Sequence, residues 1–298
     1  MRAAPSLRAL SLSRPVPMAE APPARGAGFD ADTFDVFVMF IGNSLTNANG
    51  SLHFILKELA RHAEDGPTLR LETFAHIKLG QPLSEIVEAE GTEGLKNALE
   101  RVPYRPGLRR VLVLQEDLPE TTIEQSTRAF DQFKAANDAT EHPLELVVLG
   151  CWPYPTAARP ESLTEFTVEQ AMTHNRAMAD RLDGRLADAL GAMELHKKRC
   201  PTVALLMNDK EHPEVVLSYI MACCVFAAVF NCTARVATRL PMWDVVVRQA
   251  PHPDVLSRAR DVAWQAVRLE VSRANTRWEG FNDGHPADPT LVPSCDIA

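Results

Sequence analysis

A serine, a histidine and an aspartate stand where the chain changes from apolar to polar. Ser44 comes soon after the apolar run 35–41, and His212 lies three residues after Asp209. A histidine side chain titrates near neutral pH, so it can take the proton of a serine hydroxyl. A carboxylate close by holds the ring in the required tautomer. These residue types predict acyl transfer by an activated serine.

Each of these residues also has an ordinary structural interpretation. Ser44 can cap a helix, and Asp209 with His212 can cap the apolar helix that follows them. A second pair, Asp283 and His285, has a similar local sequence, but its spacing is one residue shorter and no apolar helix follows. We therefore choose Asp209 and His212 as the candidate pair.

The residue types that hold metals or phosphates show no recognisable spacing. The histidines are scattered without an H-x-x-x-H or H-E-x-x-H pattern, and the six cysteines form no CxxC pair. Neither G-x-x-x-x-G-K-[ST] nor G-x-G-x-x-G occurs. We expect no metal site and no organic cofactor.

Predicted strands and helices alternate along the chain. Short apolar runs predict strands, and longer segments with apolar residues at helical spacing predict helices. The predicted strands are 35–41, 69–74, 111–114, 144–149 and 202–207, and the predicted helices are 51–64, 92–101, 121–139, 164–198 in two or more pieces, 214–230 and 253–273. Continuously apolar strands are typical of a parallel sheet that is covered on both faces. The predicted fold class is α/β, a three-layer α/β/α sandwich with a mostly parallel five-stranded sheet.

The predicted sheet explains how distant polar residues would meet. Active sites of such sheets gather at the carboxyl ends of the strands. The polar groups at these ends are Ser44, the segment 76–80, Gln115 with Glu116, Cys151 with Trp152, and Asp209 with His212.

The order of these segments resembles that of the SGNH/GDSL hydrolase superfamily between about residues 34 and 272. The segment Phe40-Ile-Gly-Asn-Ser44-Leu-Thr46 is similar to its nucleophile block in the G-N-S-x-T form. Asp209-Lys-Glu-His212-Pro213 resembles its last block. Between them, Leu79-Gly80-Gln-Pro-Leu83 resembles its glycine block, and Val113-Leu-Gln115-Glu116 resembles a V-L-Q-E form of its third block.

The resemblance implies a flavodoxin-like hydrolase fold and ester hydrolysis through an acyl-enzyme intermediate. It assigns Ser44 as nucleophile, His212 as base and Asp209 as the residue that orients the base. It also implies an oxyanion hole that is built from the N–H groups of Ser44 and Gly80. Gln115 stands where the family has an asparagine, and its amide either donates to the oxyanion or only caps the strand end. The implied substrate is a small-molecule or carbohydrate ester, with short acyl chains such as acetyl as the family-level expectation.

Further departures from the family pattern lead to an alternative prediction. Glu214 stands where a small residue is usual, and Leu217 replaces a glycine. Glu211 and Glu214 place negative charge beside His212, which favours the imidazolium, the form that cannot act as a base. The alternative is a binding protein that keeps the SGNH fold but has lost catalysis.

Composition limits the partners of the chain. Its net charge is −8, which argues against general nucleic-acid binding because phosphate contacts need clustered Lys and Arg. No apolar run reaches the roughly 18 residues that a membrane span requires. The sequence therefore predicts neither a nucleic-acid partner nor a membrane span, and it leaves the oligomeric state open.

The two ends of the chain differ from its middle. Residues 1–32 are rich in arginine, proline and alanine and predict a disordered or targeting tail. Residues 33–274 form the predicted hydrolase-like domain, and 275–298 form a C-terminal tail. The start lacks the apolar segment of a secretory signal. We predict a cytoplasmic protein, or an organellar one if the arginine-rich segment is a transit peptide.

Overall fold

The computed structural model of the chain describes residues 35–62, 70–155, 165–233 and 251–274. They all fall within the unit Ala31–Ala298. The predicted tails 1–32 and 275–298 lie outside the described residues, as do Asp283 and His285.

Five parallel strands form the sheet, in the order β2-β1-β3-β4-β5. The strands are β1 (Val36–Gly42), β2 (Leu71–Ile77), β3 (Arg109–Gln115), β4 (Glu145–Leu149) and β5 (Arg185–Ala187). This is the strand order of flavodoxin-like doubly wound sheets. The predicted α/β fold class with a parallel five-stranded sheet is confirmed.

Helices connect the strands on both faces of the sheet. They are α1 (Ser44–Asn47), α2 (Leu52–His62), α3 (Leu83–Glu90), α4 (Glu93–Arg101), α5 (Ile123–Asp138), α6 (Val168–Arg181), α7 (Ala189–Arg199), α8 (Val215–Phe230) and α9 (Pro253–Ala274), with single 3₁₀ turns at Ala48–Gly50 and Leu118–Glu120. Thr122 and Thr167 begin α5 and α6 with capping boxes, in which the threonine hydroxyl and a glutamine three residues later satisfy the first free N–H groups.

The core lies in two layers because successive side chains of a strand point to opposite faces. Every residue of β1 is buried. Val36, Val38 and Phe40 pack with α2, α7, α8 and α9. Phe37, Met39 and Ile41 pack with α3, α4, α5 and α6. Strand β1, which lies between β2 and β3, therefore contributes to both layers, and this explains why it is apolar throughout.

Helix α8 is apolar on all sides, and Val216–Val229 is buried throughout. It packs against α2, α7 and α9, so its composition reflects a position inside the protein. Among the described residues, no helix combines the length and the apolar character needed to cross a bilayer.

The position of the fifth strand was predicted wrongly. It is Arg185–Ala187, inside the segment predicted as helical, and not 202–207. Three residues are too few to show a strand pattern, yet β5 pairs with β4 along its whole length. Gly184 permits this approach, because a Cβ there would lie 2.7 Å from the Leu146 carbonyl oxygen. Segment 202–207 stays outside the sheet and forms only one antiparallel bridge, between Leu206 and Pro213.

Candidate active site

Ser44 begins α1 at the carboxyl end of β1. Asn43 precedes it in an extended conformation, and the Asn43 Oδ1 atom accepts a hydrogen bond from Leu45 N at 3.0 Å. This cap ends β1 and begins the helix within two residues. The turn holds Ser44 at the edge of the sheet where the predicted strand ends meet.

Asp209 and His212 lie in a tight loop before α8. The Leu206–Pro213 bridge closes this loop, with Met207 N donating to His212 O at 2.8 Å. Asp209 Oδ1 accepts hydrogen bonds from the N–H groups of Glu211 and His212, both at 3.0 Å. Lys210 adopts a left-handed φ of 65° to complete the turn. One carboxylate therefore both shapes the loop and contacts the histidine ring.

The three predicted side chains form a hydrogen-bonded series. Asp209 Oδ2 lies 2.9 Å from His212 Nδ1, and His212 Nε2 lies 2.9 Å from Ser44 Oγ. Burial raises the pKa of Asp209, but hydrogen bonds from the backbone of Glu211 and from His212 outweigh it and hold that pKa below its usual value. Asp209 is therefore ionised near neutral pH, so His212 Nδ1 donates to it and Nε2 is left to accept from the serine hydroxyl. This arrangement can remove a proton from Ser44.

Asn49 joins the serine segment to the histidine loop, and sequence reasoning missed it. Its Nδ2 atom donates to Pro213 O at 2.7 Å and to Ser218 Oγ at 2.9 Å. Asn49, Gly50 and Ser51 all have positive φ, at 53°, 91° and 72°. Three successive residues in this region bend the chain back towards α8. Asparagine tolerates the left-handed region better than most residues, but the sequence gives no sign of a partner more than 160 residues away.

Gly80, the predicted second oxyanion donor, lies in a turn after β2, the strand beside β1. Its φ of 71° is in the region that glycine adopts readily. Lys78 N donates to Gly42 O at 3.0 Å, and Gln81 N donates to Lys78 O at 3.2 Å. These bonds tie the turn to the end of β1. The role of the Gly80 N–H in catalysis stays a prediction.

Gln115 supports the turn that carries Ser44. Its Oε1 atom accepts hydrogen bonds from Asn43 N at 3.0 Å and from Thr46 Oγ1 at 2.9 Å, and its Nε2 atom donates to Glu116 O at 2.7 Å. A Cβ at Gly42 would lie 2.6 Å from this Oε1 atom, so glycine is needed for the approach. The predicted donation from Gln115 to an oxyanion stays a prediction.

One of the two predicted acidic neighbours, Glu211, lies beside His212. Glu211 is buried, and its Oε1 atom is 3.9 Å from His212 Nε2. The indole N–H of the buried Trp152 donates to Glu211 O at 3.1 Å and fixes this part of the loop. Glu214 instead serves as the N-cap residue of α8.

Two further carboxylates behind Ser44 were not singled out as site residues. Burial raises the pKa of Glu116 and of Asp117 to about 7. Asp117 Oδ2 accepts a hydrogen bond from Asn43 Nδ2 at 2.8 Å, and Glu116 Oε1 accepts from Leu83 N at 2.7 Å. The acidic pair directly after Gln115 was the available signal, but burial of both residues cannot be read from the sequence.

Comparison with solved structures concerns the fold. A DUF4886 family protein from Bacteroides uniformis matches 78% of this chain and 95% of its own at 15% identity, with a TM-score of 0.52. A protein from Slackia heliotrinireducens that is described as an SGNH hydrolase matches 65% of this chain and 98% of its own at 21% identity, with a TM-score of 0.49. A lipase/acylhydrolase from Enterococcus faecalis matches 68% and 98% at 11% identity, with a TM-score of 0.45.

The likeness to the Bacteroides uniformis protein supports the α/β fold of this chain. Membership of the SGNH hydrolase superfamily, and of the motif subgroup within it, stays a prediction. No protein-family model matches the chain, and no curated protein matches it.

Proposed function

We propose that the chain is a serine ester hydrolase that works through an acyl-enzyme intermediate. The observation that carries the proposal is the hydrogen-bonded series from Asp209 through His212 to Ser44, with both links at 2.9 Å. Placement of the series at the carboxyl end of a parallel sheet also supports it, since ligands of such sheets bind at this edge.

The proposed reaction has two halves. Ser44 Oγ attacks the ester carbonyl while His212 Nε2 takes its proton, and the resulting imidazolium returns the proton to the leaving alkoxide. Water then attacks the acyl-serine, with His212 again acting as base. The N–H groups of Ser44 and Gly80 are the proposed donors to the oxyanion, with Gln115 as the third. All steps use side chains and backbone of this chain and need no cofactor.

The proposed substrate is a small-molecule or carbohydrate ester with a short acyl group such as acetyl. Hydrolysis of 4-nitrophenyl esters of increasing acyl length tests the activity and its acyl preference. We expect the acetyl ester to be cleaved fastest and Ser44→Ala to abolish turnover. Ser272→Ala, an exposed serine on α9, is the matched control and should leave turnover unchanged.

A binding protein without turnover is the second candidate. The amide of Gln115 is engaged with Asn43, Thr46 and Glu116, and a carboxylate of Glu211 lies near the histidine. Both features would weaken catalysis if Gln115 cannot also serve the oxyanion. Absence of ester cleavage between pH 7 and pH 9 would favour this candidate over the hydrolase.

A further inference from the structure

Three carboxylates from two separate segments meet beside the candidate active site. Asp117 precedes the 3₁₀ turn after β3, Glu120 is the last residue of that turn, and Glu211 comes from the histidine loop. One oxygen atom of each lies within 4.8 Å of the others. Asp117 and Glu211 are buried, and Glu120 is partly buried. Such close negative charges repel each other strongly away from water.

One oxygen of Asp117 lacks a hydrogen-bond donor. Asp117 is 1% exposed, and its Oδ2 atom accepts from Asn43 Nδ2. Its Oδ1 atom is buried and has no hydrogen-bond partner among the described residues. A buried acceptor without a donor is costly, and a bound cation would remove that cost. Burial, with the charges of Glu120 and Glu211, raises the pKa of Asp117 to about 7, as expected for an uncompensated carboxylate.

We infer that Asp117, Glu120 and Glu211 form a binding site for a hard divalent cation. Ionised carboxylates are the ligands that Ca²⁺ and Mg²⁺ prefer. Two oxygens that bind one Ca²⁺ at 2.3–2.6 Å lie at most about 5 Å apart, whereas for Mg²⁺ at 2.0–2.1 Å the limit is about 4 Å. The three separations are all below the limit for Ca²⁺. Ca²⁺ also tolerates irregular coordination, whereas Mg²⁺ demands near-octahedral geometry and gives up its water reluctantly.

One of the three carboxylates also faces a cavity. Glu120 also lines a cavity of about 330 Å³ between α3 and α5, together with Glu85, Glu88 and Arg128. The three glutamates of this cavity outnumber its one arginine, so its net charge is negative and favours cations. Water in the cavity can complete the coordination shell, since Ca²⁺ takes six to eight oxygen ligands.

The sequence predicted no metal site because Glu211 is far along the chain from Asp117 and Glu120. The inference goes beyond ester hydrolysis and does not depend on it. A cation here would offset the negative charge of Glu211, 3.9 Å from His212 Nε2.

Terbium luminescence tests the inference directly. Tb³⁺ replaces Ca²⁺ at oxygen sites, and Trp152 lies close enough to sensitise it because its indole donates to Glu211 O. With the full chain carrying Ser44→Ala, we expect saturable luminescence on tryptophan excitation, displaced by Ca²⁺ more effectively than by Mg²⁺. Hydrolysis plays no part in this readout, so its result is independent of the proposed reaction.

Two variants locate the bound ion. Glu120→Gln and Asp117→Asn should each weaken Tb³⁺ binding at least about tenfold. Glu124 is an exposed glutamate four residues after Glu120, and Glu124→Gln should leave Tb³⁺ binding unchanged. Calcium should also raise the melting temperature of the full chain but not that of Glu120→Gln. An absence of saturable luminescence would overturn the inference, as would equal affinity in Glu120→Gln and Glu124→Gln.

Discussion

Asp209 has two tasks that a single substitution separates. Its Oδ1 atom bends the loop through two backbone N–H groups, and its Oδ2 atom contacts the His212 ring. Asparagine can still accept the backbone hydrogen bonds, but it is neutral and no longer favours a proton on Nδ1. Asp209→Asn should therefore leave the loop intact while His212 loses its function as a base.

Asp209→Asn should lower kcat by about 10³-fold or more and change KM little, because the tautomer with Nε2 free to accept becomes rare. The melting temperature should change by only a few degrees. Steady-state kinetics with a short acyl ester measures the effect. A fall in kcat of less than tenfold would show that Asp209 does not orient the base.

The sequence could predict that Asp209, His212 and Ser44 lie together, but not the residues around them. Asp209 and His212 share one short loop, and Ser44 follows the most apolar strand, so local pattern was enough. Asn49 depends on a contact across the fold. Asp117 depends on burial that only the packing of α3 and α5 around β3 produces.

The side chain of Asn49 joins the segment that carries Ser44 to the segment that carries His212. Asn49 donates to both Pro213 O and Ser218 Oγ, and so holds the turn after α1 against the start of α8. Asn49→Ala should lower kcat by about tenfold or more with little change in KM, since small displacements of a base are costly.

Asn47 is an exposed neighbour of Asn49, so Asn47→Ala is the control. Its kcat should equal that of the unmodified chain. Ser218→Ala removes one of the two contacts and should have the smaller effect. A kcat for Asn49→Ala equal to that for Asn47→Ala would contradict the proposed link.

The sequence pattern could predict the longer strands of the sheet but not the shortest one. Strands β1, β3 and β4 were predicted because each contains a continuous apolar run. Strand β5 was missed because it has three residues at the edge of the sheet, between helices that both have clear patterns. The Asp183-Gly184 turn before it, with φ of 52° at Asp183, was the available signal that a helix ends there.

For the whole molecule, the buried acids predict how stability depends on pH. The pKa of Asp117 is raised to about 7 from 3.8, so the folded state binds more protons than the unfolded state between about pH 4 and pH 7. Stability should therefore fall as pH rises through this window. For a pKa shift of this size, the free energy of unfolding should fall by at most about 4 kcal/mol.

Asp117→Asn should remove part of this cost. With a chelator present, we expect its melting temperature to exceed that of the unmodified chain by about 4 °C or more at pH 8, and by much less at pH 5. Thermal unfolding at both pH values measures the difference. An equal change at pH 5 and pH 8 would mean that the Asp117 charge is not the cause.

The N-terminal segment, residues 1–28, should contribute little to the stability of the chain. Its arginine, proline and alanine composition lacks apolar periodicity, so it offers little to a folded core. Deletion of residues 1–28 should leave the melting temperature nearly unchanged in thermal unfolding. A loss of several degrees would show that this segment packs on the domain.

The central claim is that His212 and Asp209 activate Ser44, and covalent labelling tests it most directly. A fluorophosphonate reacts with an activated serine and mimics the first half of the reaction. The account predicts stoichiometric labelling of the full chain, with the adduct mapped to Ser44 by peptide mass spectrometry and lost in Ser44→Ala and His212→Ala. No adduct at Ser44 after prolonged exposure at pH 8, in protein with a cooperative melting transition, would contradict it.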